Sequence, residues 1–298
     1  MHESICYLNG HLGPLSQTKV SVLDRGFIFG DGIYEVVPVF DGIAFRLPEH
    51  LRRLQRSLDA VKIANPFAFE RWTSMVQDLI KTNRGGDQTI YIQITRGIAP
   101  RSHAVAEDVE PTVFLMSSPL RVVAETEAIE VVTTNDIRWQ RCDIKSTSLL
   151  ANVMSRELAA SVGSHEAIFL RGGIVTEGAA SNVFISIDGT IKTPPLSSWI
   201  LPGVTRDLIV ELMNGADHCV QETTVSEQEL RRADEVWVTS SGSELVPVIR
   251  IDDEPVGNGQ IGPVFRHVQR VYRDYKEKFT AQRSDATSKR NRREVGRI

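Results

Sequence analysis

Asn135-Asp136-Ile137-Arg138-Trp139-Gln140-Arg141-Cys142-Asp143-Ile144-Lys145-Ser146-Thr147-Ser148-Leu149-Leu150 is the stretch on which the reading of this chain turns. It sets one lysine, Lys145, at the seam between an irregular basic segment and an amphipathic helix expected over 148–162. At such a seam the backbone holds the side chain while Cys142, Ile144 and Leu149 exclude water from it. Dehydration disfavours an ammonium, and a neutral amine attacks carbonyls, as Schiff-base chemistry requires. A solvated surface lysine is the plain rival, so the neighbouring segments must decide.

Working outward, a strand is expected at 129–133 before the lysine segment, and strands at 167–170 and 174–176 around the turn Arg171-Gly172-Gly173 after it. A hairpin follows at 183–187 and 190–193 about Asp188-Gly189. Next come a helix over 206–213 behind Leu201-Pro202-Gly203, a strand at 235–239 and a closing helix over 264–278. Upstream, Asn9-Gly10 and Asp41-Gly42 mark two further hairpins. Pro48 opens a helix striped by Leu51, Leu54, Leu58 and Val61, and another helix covers 69–81. Strands are expected at 89–95 and 112–116, with Ser117-Ser118-Pro119 as a linker between domains. Hairpins mixed with helices predict an α+β fold rather than a doubly wound sheet. The domains expected are 1–119, 120–280 and a tail, 281–298.

Composition narrows the function. Of the 298 residues, 41% are hydrophobic and 24% charged, ordinary for a soluble globular protein. No run reaches the roughly eighteen apolar residues of a membrane span, so no membrane role is expected. Met1-His2-Glu3-Ser4-Ile5-Cys6 has neither a basic start nor an apolar stretch, so no secretory leader is expected. Three widely spaced cysteines suit free thiols in a reducing compartment, and a cytoplasmic location is expected. The seven histidines show no metal-ligand spacing, so no metal is expected. The tail carries six Lys/Arg and two Asp/Glu; the overall −4 leaves residues 1–280 at −8, which argues against nucleic acid as a partner. With almost no apolar content, the tail is expected to be disordered.

Four more segments stand in order with the lysine stretch. They are Asp24-Arg25-Gly26-Phe27-Ile28-Phe29-Gly30-Asp31-Gly32-Ile33-Tyr34-Glu35-Val36-Val37, Thr95-Arg96-Gly97-Ile98-Ala99-Pro100-Arg101-Ser102-His103, Thr176-Glu177-Gly178-Ala179-Ala180-Ser181-Asn182-Val183-Phe184 and Thr239-Ser240-Ser241-Gly242-Ser243-Glu244. Together, from about residue 7 to 275, they resemble the D-amino-acid aminotransferases of the fold-type IV pyridoxal-phosphate enzymes. The resemblance implies a two-domain fold-type IV chain with pyridoxal 5'-phosphate as cofactor. It implies Lys145 as the catalytic amine and Glu177 as partner of the ring nitrogen. The phosphate falls to the N–H groups of Val204 and Thr205, to Ser240 or Ser241, and to Arg53, with a solvated basic face shared with Arg52 and Arg56 as the rival for the last. A helix start suits an anion on general grounds.

The stretch 97–111 is long for a loop without a function. It carries Arg101, a fork matched to a carboxylate, and His103 beside it. By resemblance these two bind the substrate carboxylate across the interface of a homodimer, with Tyr34 joining from within the subunit; an exposed mobile loop is the alternative. Trp139 and Arg138 are candidates to wall the cofactor. Gly30-Asp31-Gly32 reads as a tight turn, since no third glycine follows.

Ala179, Ala180 and Pro202 depart from the family pattern and bear on rate or substrate range. The activity implied is amino transfer from a D-amino acid to a 2-oxo acid, D-alanine and 2-oxoglutarate giving pyruvate and D-glutamate. Rivals are a branched-chain L-amino-acid aminotransferase and an aminodeoxychorismate lyase of the same fold, and a cofactor-binding protein without activity.

Overall fold

The computed structural model describes the backbone of residues 3–105, 108–120, 127–215 and 219–295, with side chains as far as residue 283. Residues 106–107 of the long loop lie outside that description. The chain divides into two units. The first takes Met1–Leu58, Lys62–Leu120 and Arg270–Ile298, and the second Asp59–Val61 and Arg121–Gln269.

The first unit is built on β1 (Ile5–Leu8), β2 (His11–Pro14), α1 (Arg25–Phe29), β3 (Gly32–Phe40), β4 (Ile43–Ala44), α2 (Leu47–Val61), α3 (Phe69–Thr82), β5 (Gln88–Thr95) and β6 (Thr112–Pro119). The strands form an antiparallel sheet in the order β2-β1-β6-β5-β3-β4. Alternation does the sorting: Ile90, Ile92 and Ile94 of β5 are fully buried, while Thr89, Tyr91 and Gln93 between them are only partly covered. The expected hairpins have left-handed φ at both central residues, 45° and 95° at Asn9-Gly10 and 50° and 75° at Asp41-Gly42. That geometry matches the twist of the flanking strands. Leu51, Leu54 and Leu58 form the buried stripe of α2.

Ser117-Ser118-Pro119 is not a linker. It continues β6, with Ser117 opposite Ile90, Ser118 opposite Thr89 and Pro119 opposite Gln88. A polar run extends a strand here because the buried Ser117 hydroxyl donates to the Gln88 side chain.

The second unit contains β7 (Ile129–Asn135), α4 (Leu150–Ser161), β8 (Glu166–Arg171), β9 (Ile174–Gly178), β10 (Asn182–Ile187), β11 (Thr190–Thr193), α5 (Val204–Asn214), β12 (Val220–Glu222), α6 (Glu227–Arg231), β13 (Glu235–Ser240), β14 (Glu244–Ile251), β15 (Glu254–Pro255) and the start of α7 (Pro263–Val295). Its sheet runs β12-β11-β10-β13-β14-β7-β8-β9, with β15 on β14. The β7–β8, β7–β14 and β11–β12 pairs are parallel and the others antiparallel, the mixed pattern of an α+β chain. Strand β7, helix α4 and strand β8 make a crossover, and the Lys145 segment is the connection leaving the carboxyl end of β7. Ligands gather outside the carboxyl ends of parallel strands.

Strand β14 escaped the sequence reading because Pro247 interrupts Leu245-Val246-Pro247-Val248. The ladder to β7 begins only at Val248, one residue past the proline, so the run is a strand all the same. Helix α6 announces itself by a capping box, Ser226 and Glu229 each bonding the other's backbone.

The tail also differs from expectation. Residues 281–295 continue α7 as helix, and from Arg270 onward that helix groups with the first unit. No glycine or proline falls between Val264 and Val295, and runs of Lys, Arg, Gln and Ala favour helix without an apolar stripe. Glu235 closes the start of this helix, accepting the Val264 and Phe265 amides at 2.9 and 2.7 Å.

Candidate active site

Lys145 is half-buried between the carboxyl end of β7 and α4, with Ile144 and Cys142 buried beside it. Glu177, expected just past a strand, lies inside β9 and is 5% exposed. One carboxylate oxygen accepts from Arg138 Nη1. The other accepts from the Leu201 amide at 2.9 Å and Asn182 Nδ2 at 3.2 Å. Burial pushes the Glu177 carboxyl up to about 7, against the downward pulls of Arg138, the Leu201 amide and the charge of Lys145. The lysine and the acid are therefore electrostatic neighbours.

Arg138 is held in turn. Asp136 takes its Nε and Nη2 at 3.0 Å each, and Arg138 Nη2 also reaches the Trp199 carbonyl at 3.2 Å. The guanidinium lies 4.3 Å from the Phe169 ring centre. The Cys142 thiol, donating to the Trp139 carbonyl, is pushed up to about 11 chiefly by burial, so it stays an inert thiol. Of the two candidate wall residues, Arg138 is enclosed and Trp139 exposed. Leu201 was not legible as a site residue, since it meets Glu177 from 24 positions away, while Asp136 and Asn182 lie two and five residues from Arg138 and Glu177 and went unread although close by.

Helix α5 begins at Val204, with Thr205 next to it, both buried. Gly203 is its N-cap and brings no side-chain cap. A Cβ there would sit 2.0 Å from Asn182 Oδ1, so only glycine lets the helix start this close to the residue that holds Glu177. Ser240 ends β13 and Ser241 opens the turn to β14; both are half-buried, and Ser240 Oγ accepts the Ser243 amide at 3.0 Å. Ala179, one of the departures, is buried and its carbonyl accepts from Asn152 at 2.8 Å. Among the described residues no three His, Cys, Asp or Glu side chains are grouped to hold a metal.

In the first unit Arg53 turns inward, 3% exposed, while Arg52 is 68% exposed. Its Nε and Nη2 grip the two oxygens of Glu35 at 2.7 and 2.8 Å, and His50 Nδ1 lies 2.8 Å from the second oxygen. Burial raises the Glu35 carboxyl, but Arg53 and His50 overturn that and hold it well below the usual range. Glu35 shares the buried face of β3 with Ile33, Val37 and Val39. An acid on an apolar strand face demands a cation, which was the available signal for this group.

Arg101 and His103 are both exposed. They meet at Phe29: the Arg101 guanidinium lies 5.6 Å from that ring centre and the His103 ring 5.5 Å. Between them, the Ser102 carbonyl accepts from Arg25 Nη1 at 2.6 Å, and Arg25 Nε is fixed by Asp31 at 2.8 Å. The loop is closed at its neck, where a Cβ on Gly97 would sit 1.9 Å from the Glu110 carbonyl oxygen. Tyr34 on β3 stacks against Tyr91 at 5.6 Å. Gly30, with φ 66°, caps α1 as the expected tight turn.

The family model described as amino-transferase class IV matches residues 32–251. The chain belongs to that family. The D-alanine aminotransferase of Staphylococcus haemolyticus is 40% identical over 274 residues, which cover 91% of this chain and 97% of that one. That of Bacillus licheniformis is 38% identical over 265 residues, 88% of this chain and 93% of the relative. Among solved structures, the branched-chain amino acid aminotransferase from Escherichia coli is similar at a TM-score of 0.83 and 26% identity, covering 90% of this chain and 92% of the other. The class IV match spans both units and takes in Tyr34, Arg53, Arg101, His103, Lys145, Glu177, Val204, Thr205, Ser240 and Ser241.

Proposed function

We propose that this class IV chain transfers the amino group of D-amino acids to 2-oxo acids, D-alanine and 2-oxoglutarate giving pyruvate and D-glutamate, with pyridoxal 5'-phosphate as its cofactor. The observation that carries the reading is Lys145 beside a buried glutamate whose carboxyl burial has pushed up to about 7. The donor set fits the cofactor. A carboxylate offers about four acceptor sites. Arg138, Asn182 and the Leu201 amide take three on Glu177, leaving room for a ring N–H. Helix α5 supplies amides without a side-chain cap for the phosphate.

When bound, the cofactor supplies an electron sink for the substrate carbanion. Lys145 Nζ would hold the cofactor and would move the proton at the substrate Cα. Glu177 keeps the ring nitrogen protonated. The N–H groups of Val204 and Thr205, the hydroxyls of Ser240 and Ser241, and Arg53 bind phosphate. Arg101 and His103 bind the substrate carboxylate with Tyr34.

The working form is a homodimer in which Arg101 and His103 serve the partner's site. Supporting a second copy, α4 and its end expose Leu150 (73%), Val153, Met154, Leu158 and Val162 at helical spacing, more apolar surface than a lone helix keeps in water. The partners are small amino and 2-oxo acids, not nucleic acid. Among the described residues no helix is long and apolar enough to cross a membrane, and Cys6, Cys142 and Cys219 are unpaired; both suit the cytoplasm. The D-specific reading is favoured over the branched-chain one by 40% identity against 26%.

The test is borohydride reduction after incubation with pyridoxal 5'-phosphate, with peptide mapping and a D-alanine assay. Wild type should carry the reduced adduct on Lys145 and turn over D-alanine, and Lys145→Ala should lose both. Turnover retained by Lys145→Ala, or an adduct elsewhere, removes the assignment. Activity with L-leucine or aminodeoxychorismate but not D-alanine would turn the reading to a rival.

A further inference from the structure

We propose that Asp136 is a positioning residue: it grips Arg138 through Nε and Nη2 along one edge of the guanidinium, turns Nη1 toward Glu177, and balances its charge so that the ring nitrogen of the bound cofactor faces no net cation. This rests on the cofactor reading above.

The geometry is specific. The Asp136 side chain has no exposed surface. Its Oδ1 accepts the Arg138 amide at 3.1 Å and Arg138 Nε at 3.0 Å. Its Oδ2 accepts Arg138 Nη2 at 3.0 Å and Thr176 Oγ1 at 3.2 Å, and lies 3.1 Å from Arg171 Nη2. Arg138 thus has Nη1 turned to Glu177 while its other edges face Asp136 and the Trp199 carbonyl. A guanidinium shared in this way offers Glu177 one hydrogen bond and only part of its charge.

The charged groups around the acid come from four segments. They are Asp136, Arg138 and Lys145 in the stretch after β7, Arg171 at the end of β8, Glu177 on β9, and the neutral amide of Asn182 on β10. Cys142 adds none, its thiol being pushed up to about 11. Leaving out Lys145, whose amine the cofactor takes, two arginines face two acids and the sum is zero. Removing the charge of Asp136 leaves one positive charge beside the place where a protonated ring nitrogen must sit. Like charge at that range disfavours the protonated nitrogen.

The experiment uses the full chain loaded with cofactor labelled with ¹⁵N at the ring nitrogen. The ¹⁵N shift reports protonation directly, with the borohydride adduct and D-alanine kinetics measured alongside. In Asp136→Asn the nitrogen should lose its proton at a pH lower by on the order of one unit. The kcat should fall about tenfold while KM for D-alanine changes less than about twofold. Asp136→Glu, which restores the charge, should titrate within about 0.3 unit of wild type.

If Asp136→Asn does not fold, Asp136→Asn/Arg138→Gln is compared with Arg138→Gln alone. With no guanidinium left for Asp136 to hold, only its bare charge separates the two, so they should differ by less than half the shift of about one unit expected of Asp136→Asn, and a full unit between them overturns the positioning role. A folded Asp136→Asn protein carrying the Lys145 adduct, with nitrogen titration and kcat like wild type, also overturns it and leaves the cofactor reading standing. Wild-type protein without the adduct overturns both.

Discussion

Glu35 and Glu177 are both buried, each beside an enclosed arginine, yet they reach opposite states. Glu35 in the first unit receives two nitrogens of Arg53 and a third contact from His50, and is held well below the usual carboxylate range. Glu177 in the second unit receives one nitrogen of Arg138, whose Nε and Nη2 turn to Asp136, and its carboxyl is pushed up to about 7. Burial opposes the charge in both; Glu35 meets two guanidinium nitrogens and His50, whereas Glu177 meets one guanidinium nitrogen and two neutral donors. Two charged partners overturn the cost of burial at Glu35, and one guanidinium nitrogen does not at Glu177. On the proposed reading, the second arrangement suits chemistry on a ring nitrogen and the first fixes Arg53 in place.

The contrast breaks most visibly at Glu35. Replacing it as Glu35→Gln takes the bidentate acid partner from the buried Arg53 and should cost about 3–5 kcal/mol, read by urea denaturation of cofactor-free protein at pH 7. A loss under about 1 kcal/mol would mean Arg53 draws its stability from elsewhere.

Glu177 should behave with the opposite sign. Its folded carboxyl lies above the unfolded value, so its contribution is full below pH 4.5 and is lost as pH rises through about 7. Across that window the cofactor-free wild type should lose on the order of 3 kcal/mol relative to Glu177→Gln, which lacks the titration. Denaturation curves at pH 4.5, 6 and 7.5 check this, and parallel pH profiles for the two proteins would remove the distinction.

His50 sharpens the other side. His50→Gln removes one partner of Glu35 and should cost about 1–2 kcal/mol at pH 7. Glu35 contributes above its unfolded value and loses that contribution as pH falls, so a weaker depression should move acid unfolding to higher pH. A pH titration of circular dichroism reads the midpoint; an unmoved midpoint would assign the depression to Arg53 alone.

Much of this was legible because it is local. The leucine stripe of α2 turns Arg53 inward, the Asn9-Gly10 and Asp41-Gly42 turns fix two hairpins, and Lys145 stands between a strand and a helix as its flanks require. What the sequence hid is held by partners far along the chain. Asp136 meets Thr176, and Glu177 meets the Leu201 amide; no periodicity encodes such meetings. Ser117-Ser118-Pro119 was misread since a polar run looks like a linker until Gln88 is seen across the ladder. Strand β14 was hidden by Pro247, and the helical tail by a charge pattern that resembles disorder.

The neck of the loop carrying Arg101 and His103 has a bearing on how such a chain can change. Gly97, at φ 106°, abuts the Glu110 carbonyl so closely that no side chain fits, and the Gly97 carbonyl accepts the Arg25 amide at 2.8 Å. The two ends are therefore clasped whatever lies between them, and extra length in a closed loop adds little entropic cost. On the proposed reading of Arg101 and His103, evolution or a designer can exchange what lies between the clasped ends to accept a new acid while β5 and β6 keep their register.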